Sequence, residues 1–199
     1  SSAALLANIA IYCIIALSAL VLTGWSGQVS LGQFAFVGVG AAVTGALLVE
    51  TNGDLFLELL IAGLIAATVA VGIGFFTRRA SGIFLGVVTL AAATAFSNYF
   101  FSAEYFSLWT PARVDRPTLF DRIEIQSSLS FYYLCLVFLL GAVALMRGFR
   151  RSYIGRAVIA VRDNERAAAA NAIHVGRTKL VAFGFSGFLA GVAGGLYTI

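Results

Sequence analysis

Apolar residues run along this chain in six long stretches, roughly 3–22, 34–49, 55–76, 83–101, 129–146 and 180–199. Each is near the ~20 residues that a helix needs to cross about 30 Å of hydrocarbon. The pattern predicts an all-α fold, a polytopic transmembrane helical bundle. The second stretch is short and follows an unusual break: Thr23-Gly24-Trp25-Ser26-Gly27-Gln28-Val29-Ser30-Leu31-Gly32-Gln33, uncharged but polar and rich in glycine. A longer interruption, 147–179, is basic, and its alanine-rich part at 155–173 carries charges at helical spacing. It reads as a helix on the cytoplasmic side.

The charges between stretches set the orientation. Glu50, Asp54 and Glu58 carry no basic partner, which places that loop outside, whereas Arg78 and Arg79 place the next one inside. The external loop, 102–128, holds four acids and three arginines with Pro111 and Pro117. Residues 146–179 hold eight basic residues against Asp163 and Glu165, a strong positive-inside signal. The signs alternate as the spans require. If the first stretch crosses fully, the glycine-rich break lies on the cytoplasmic side. Otherwise it sits at membrane depth, where unwound backbone is tolerated only when buried in protein or lining a wet cavity.

Composition narrows the class. The chain has 199 residues, 60% hydrophobic and 11% charged, with a mean hydropathy of +0.95. Soluble domains carry roughly a quarter charged residues, so this is an integral membrane protein. The net charge of +4 resides at the ends of apolar stretches and is not interleaved with exposed aromatics, which argues against nucleic acid. Cys13 and Cys135 lie in separate stretches and read as small packing residues, not a disulfide or metal pair. No acid or base falls in the interior of a stretch, as a proton relay or sodium carboxylate would require. No P-loop, HExxH or zinc spacing is present either. The chain reads as neither an enzyme nor a metal protein, and any energy it uses must come from a partner.

Two segments could carry function. In the break, Gly24, Gly27 and Gly32 permit unusual backbone angles, while Gln28, Ser30 and Gln33 supply uncharged donors and acceptors. A discontinuous helix can hold a charged or zwitterionic solute at its free ends; the alternative is a turn, or small residues that allow close packing. Thr89 and Asn98 are further pathway candidates. In the loop helix, Arg162 and Glu165 are three apart and share a face, with Val158, Val161 and Ala168 or Ala169 on another. Such a helix could dock on a soluble motor protein, or lie solvated or against anionic lipid.

These residues resemble a known family, the membrane permease subunits (M-type) of branched-chain amino-acid ABC importers, which include urea-type relatives. The resemblance rests on five blocks in order. They are the glycine-rich break with Phe36 and Gly38-Val39-Gly40-Ala41; Gly82-Ile83-Phe84 with Val88-Thr89-Leu90; and Arg116-Pro117-Thr118-Leu119-Phe120. Gly155-Arg156-Ala157 through Arg162-Asp163-Asn164-Glu165 is the fourth, and Lys179-Leu180-Ala182-Phe183 with Ala190-Gly191-Ala193-Gly194 the fifth. It implies a single transmembrane permease domain over 1–199 in the inner membrane, in which 147–179 carries a coupling helix. Gly155, Arg156, Arg162, Asp163, Asn164 and Glu165 would then couple to an ATPase. Gly27, Gln28, Ser30, Gln33, Thr89 and Asn98 are candidates for the substrate pathway.

The implied partners are two cytoplasmic ATPase subunits that bind ATP and Mg, a second permease subunit and an external solute-binding protein. The implied cargo is a branched-chain or related amino acid, with urea or a short amide as the alternative. A secondary transporter and a pore-less scaffold subunit are the readings from other classes. The chain opens without Met and stops at Tyr197-Thr198-Ile199 inside an apolar stretch, so both ends read as cut. Three departures from the family stand out. The external loop reads Leu108-Trp109-Thr110-Pro111-Ala112-Arg113-Val114-Asp115 where a Thr-Gly-Gly-rich stretch is usual, and Ala42 replaces an aromatic. Ala172 and His174 stand where Gly and Asn are common, which predicts a loop helix that continues further before turning.

Overall fold

Within lipid a backbone polar group has no water to bond, so a spanning segment must satisfy its own ladder as a helix. The described parts of the apolar stretches obey this. The computed structural model describes residues 2–28, 30, 32–51, 54–77, 83–95, 98, 118–119, 123–124 and 128–199. In chain order the helices are α1 (Ser2–Ala19), α2 (Gln33–Thr51), α3 (Leu55–Thr77), α4 (Ile83–Ala95) and α5 (Ser128–Arg151). After these come α6 (Tyr153–Asp163), α7 (Glu165–Ala170) and α8 (Val175–Thr198). A two-residue antiparallel pair, Thr118–Leu119 with Ile123–Glu124, is the strand structure among the described residues. The fold is an all-α polytopic transmembrane bundle. Among the described residues four helices are long and apolar enough to cross a membrane: Ser2–Trp25, Leu55–Phe76, Ser128–Arg151 and Val175–Thr198. The second and fourth predicted stretches form shorter apolar helices, Gln33–Leu48 and Gly86–Ala95.

α8 is the central post. Its small residues let two neighbours approach to backbone contact, the usual basis of helix association where lipid removes any hydrophobic drive. A Cβ on Gly40 of α2 would lie 2.1 Å from the Gly191 carbonyl oxygen, and one on Gly194 only 1.9 Å from that of Val37. On the other side Gly187 and Gly191 sit against Ala66, Ala70 and Ala62 of α3. α1 packs on α8 and on α5.

Side-chain contacts give the helix directions. Gln33 meets Ser186 and Ala41 meets Thr198, so α2 runs parallel to α8. Gly74 faces Phe183 while Gly195 faces Leu59, so α3 is antiparallel to it. Ser186 bonds Ser18, and Tyr197 packs on Tyr12, so α1 is antiparallel too. Trp25 stacks on Phe149, which puts the end of α1 beside the end of α5. The alternation matches that read from the loop charges.

Several expectations need correcting. The loop helix predicted over 155–173 is two helices, because Asn164 takes extended angles (φ −157°, ψ 102°) and ends α6. Its Oδ1 then accepts from the Ala167 N–H at 3.0 Å and starts α7. α7 does not run on: it stops at Ala170. The Ile173 N–H bonds the Ala168 carbonyl, and the Ala172 N–H that of Ala169. That is a Schellman closure, with Ala172 at the left-handed position, φ 59°. Replacing Ala172 by Gly is expected to stabilise the protein by about 1 kcal/mol, since only the Cβ is penalised there. Thermal unfolding of the detergent-purified protein would register it as a raised midpoint.

Cys135 is buried but Cys13 faces outward, so only the former is a packing residue. Glu58 is not in a loop: it sits in the first turn of α3 and is 2% exposed. Arg78, Arg79, Arg116, Pro117 and the divergent stretch 108–115 lie outside the described residues.

Candidate functional site

The break begins as a change of helix type. After Ala19 the first helix widens into a π-helical turn, Leu20–Trp25, with Thr23 Oγ1 bonding the Ala19 carbonyl. The Ser26 N–H reaches Val21 O at 3.1 Å and the Gln28 N–H reaches Leu22 O at 2.9 Å, which unwinds the end. Gly27 then adopts φ +66°, the left-handed region that reverses a chain cheaply only at glycine. The chain turns back, and α2 starts with Gln33 buried and Phe34 exposed. Of the two placements open from sequence, the turn itself lies at the basic end, where Arg150 stacks over Trp25 at 5.8 Å. Phe149 is sandwiched between Trp25 and Phe185, with centroids 6.3 and 4.3 Å away. An amphipathic tryptophan under an arginine is typical of a membrane–water boundary.

Returning from the turn, the chain builds a buried polar cluster. Gln33 is 6% exposed. Its Nε2 donates to Ser18 Oγ at 2.8 Å and to Ser186 Oγ at 2.9 Å, tying α1, α2 and α8 together. Both hydroxyl protons are already committed, Ser18 to the Ile15 carbonyl and Ser186 to the Ser18 carbonyl. The amide can therefore sit only this way round. Its Oε1 has no hydrogen-bond partner among the described residues, and neither does Ser30 Oγ. Gln28, also buried, donates to Ser26 Oγ. Gly32 packs so tightly on α4 that a Cβ would lie 2.2 Å from the Thr89 carbonyl oxygen. Thr89 itself is buried and bonds Gly86 O at 2.9 Å.

Five of the six pathway candidates thus belong to one neighbourhood: Gly27 at the turn, then Gln28, Ser30, Gln33 and, across Gly32, Thr89. Asn98 does not join them; it lies exposed beyond the end of α4. Ser18 and Ser186 belong to the cluster but were missed. Ser18 sits in an otherwise apolar stretch, and single serines in spans usually bond their own helix. An apolar cavity of about 370 Å³ lies elsewhere, between α1, α3, α5 and α8, lined by Ile14, Phe138, Phe188 and their neighbours. It offers a polar solute nothing to bond.

The coupling candidates divide by direction. Gly155 is buried, its Cα so close to the end of α5 that a Cβ would be 2.0 Å from the Phe149 carbonyl oxygen. Of the residues placed on the second face, Val158, Val161 and Ala168 are buried, while Ala169 is exposed. Arg156, Asp163, Asn164 and Glu165 are exposed, as is Arg166. Glu165 pairs with Lys179 of α8 and not with Arg162. Arg162 is exposed as well, and it donates to the carbonyl of Gly24, in the break. The two segments singled out from sequence are therefore in contact. Among the described residues no cluster of three or more His, Cys, Asp or Glu could hold a metal.

No curated protein and no solved structure matches the chain. The family model described as branched-chain amino acid transport system, permease component, matches residues 1–199. With its polytopic helices, its uncharged polar cluster and its basic loop helices, the chain belongs to that family of membrane transport permeases.

Proposed function

We propose that this chain is the membrane subunit of an ATP-driven importer that moves branched-chain or related amino acids across the cytoplasmic membrane. The observation that carries the reading is the contact between α6 and the glycine-rich break. A lever exposed at the basic end touches a place where a membrane helix is unwound. In this reading Arg156, Asp163, Asn164 and Glu165 offer the polar face on which an ATPase subunit docks, while Gly155 lets the opposite side of α6 sit tight against α5. Two such subunits bind the ATP and Mg. A second permease subunit completes the pore, and an external binding protein delivers the solute. Residues 1–199 act as one permease domain, with 147–179 as its inner loop and 102–128 as its outer one.

The pathway runs past Gln28, Ser30, Gln33 and Thr89. A buried acceptor such as Gln33 Oε1 favours a solute that brings an N–H donor, because an unmet buried acceptor costs about 1–3 kcal/mol. Amino acids and urea both bring one. Uptake by cells expressing the complete system separates them: labelled leucine should accumulate and labelled urea should not. Urea accumulation alone would move the assignment to the amide branch. Accumulation of neither would remove the solute reading.

A further inference from the structure

The contact that supports this function also shows how force could reach the pathway. α1 with its π turn ends at the break, and the last carbonyls of any helix lack intrahelical donors and carry the negative end of its dipole. Gly24 O is one of these. The donor that meets it is Arg162 Nη1, from the last turn of α6 and 138 residues away in sequence. Contact is not confined to the head group. Gly27 lies directly on the arginine stem: a Cβ there would be 2.9 Å from Arg162 Cγ. The turn is thus shaped around this one side chain, with Gly27 at φ +66° leaving room for it. A second anchor, Trp25 against Phe149, fixes the turn to α5.

We propose that Arg162 is a positioning residue for transport: it ties the inner end of the broken first helix to α6, so that displacement of α6 is passed to the Gln28–Gln33 segment. The inference rests on the importer reading: Arg162, although exposed, is assigned to the link with the break and not to the ATPase-docking face. Arg156, Asp163, Asn164 and Glu165 remain on the outer face. An ATPase can bias the pathway only through contacts that differ between its states, and on this proposal the Arg162–Gly24 link is such a contact.

The test compares wild type, Arg162→Met and Arg162→Lys in the complete complex. Methionine keeps the stem on Gly27 and removes the donor; lysine restores one. In R162M the complex should assemble and hydrolyse ATP within about twofold of wild type, while solute moved per ATP falls about tenfold, a typical coupling energy. R162K should recover most of that ratio. A wild-type ratio in R162M overturns the link. So does a loss of assembly and ATP turnover in step with uptake, with no rescue by lysine, which marks a merely structural residue. If R162M does not assemble but R162K does, hydrogen exchange of the purified permease decides. Amides 24–28 should exchange faster in R162M and at the wild-type rate in R162K; equal rates in all three overturn the proposal. Failure of the wild-type complex to couple ATP to uptake would instead strike the importer reading itself.

Discussion

Valine at position 194 should abolish the folded permease. A Cβ at Gly194 would stand 1.9 Å from the Val37 carbonyl oxygen and 3.0 Å from the Ala41 nitrogen, both backbone atoms of α2. No rotamer change can relieve an overlap with backbone, so α2 would have to withdraw from α8 along its length. That retreat would break the Thr198 bond to the Ala41 carbonyl and pull Gln33 from Ser186. The cost should exceed the 1–3 kcal/mol usual for overpacking, reaching about 4 kcal/mol or more. The control is Gly148→Val on α5, where a Cβ meets nothing within 4 Å. G194V should elute as aggregate in size-exclusion chromatography, and G148V as wild type. A monodisperse G194V would contradict the helix packing described.

The second large effect concerns function and spares the fold. In Gln33→Leu two neutral hydrogen bonds are lost, to Ser18 and Ser186, each worth about 0.6 kcal/mol within a membrane. Both serines keep the carbonyls to which they donate, so no donor is stranded. Stability should drop by only about 1 kcal/mol. Transport should drop far more, by about tenfold or more in kcat/KM, if the unmet Gln33 acceptor is what the solute bonds, as proposed. Gln33→Glu should be worse. A carboxylate has no N–H, and it would confront two hydroxyls whose protons are already placed. Uptake kinetics beside thermal unfolding would separate the two effects; equal wild-type kinetics in all three proteins would remove Gln33 from the pathway.

Much of the bundle could be read from the chain because lipid imposes the rule that makes it legible. Apolar length marks the spans, and loop charge marks their direction. The small residues of α8 were equally visible, although nothing in Gly187, Gly191 or Gly194 says which neighbour each admits. The split at Asn164 was written locally, as an asparagine cap before Glu165 and a run of alanines, but helical charge spacing across it masked the signal. Ala172 gave no sign, since its left-handed angle runs against its own preference and is held by the closure around it. The Arg162–Gly24 contact could not be read at all. It joins distant segments and depends on a π turn that exists only in the packed molecule.

In the function proposed, energy reaches this membrane subunit from a nucleotide-hydrolysing partner. The most direct measurement uses proteoliposomes holding the complete complex, with binding protein and labelled leucine on one side and ATP on the other. Leucine should accumulate above its external concentration only while ATP is hydrolysed, and dissipating ion gradients should change nothing. Accumulation that persists without ATP and collapses with an ionophore would contradict the claim and identify an ion-coupled carrier.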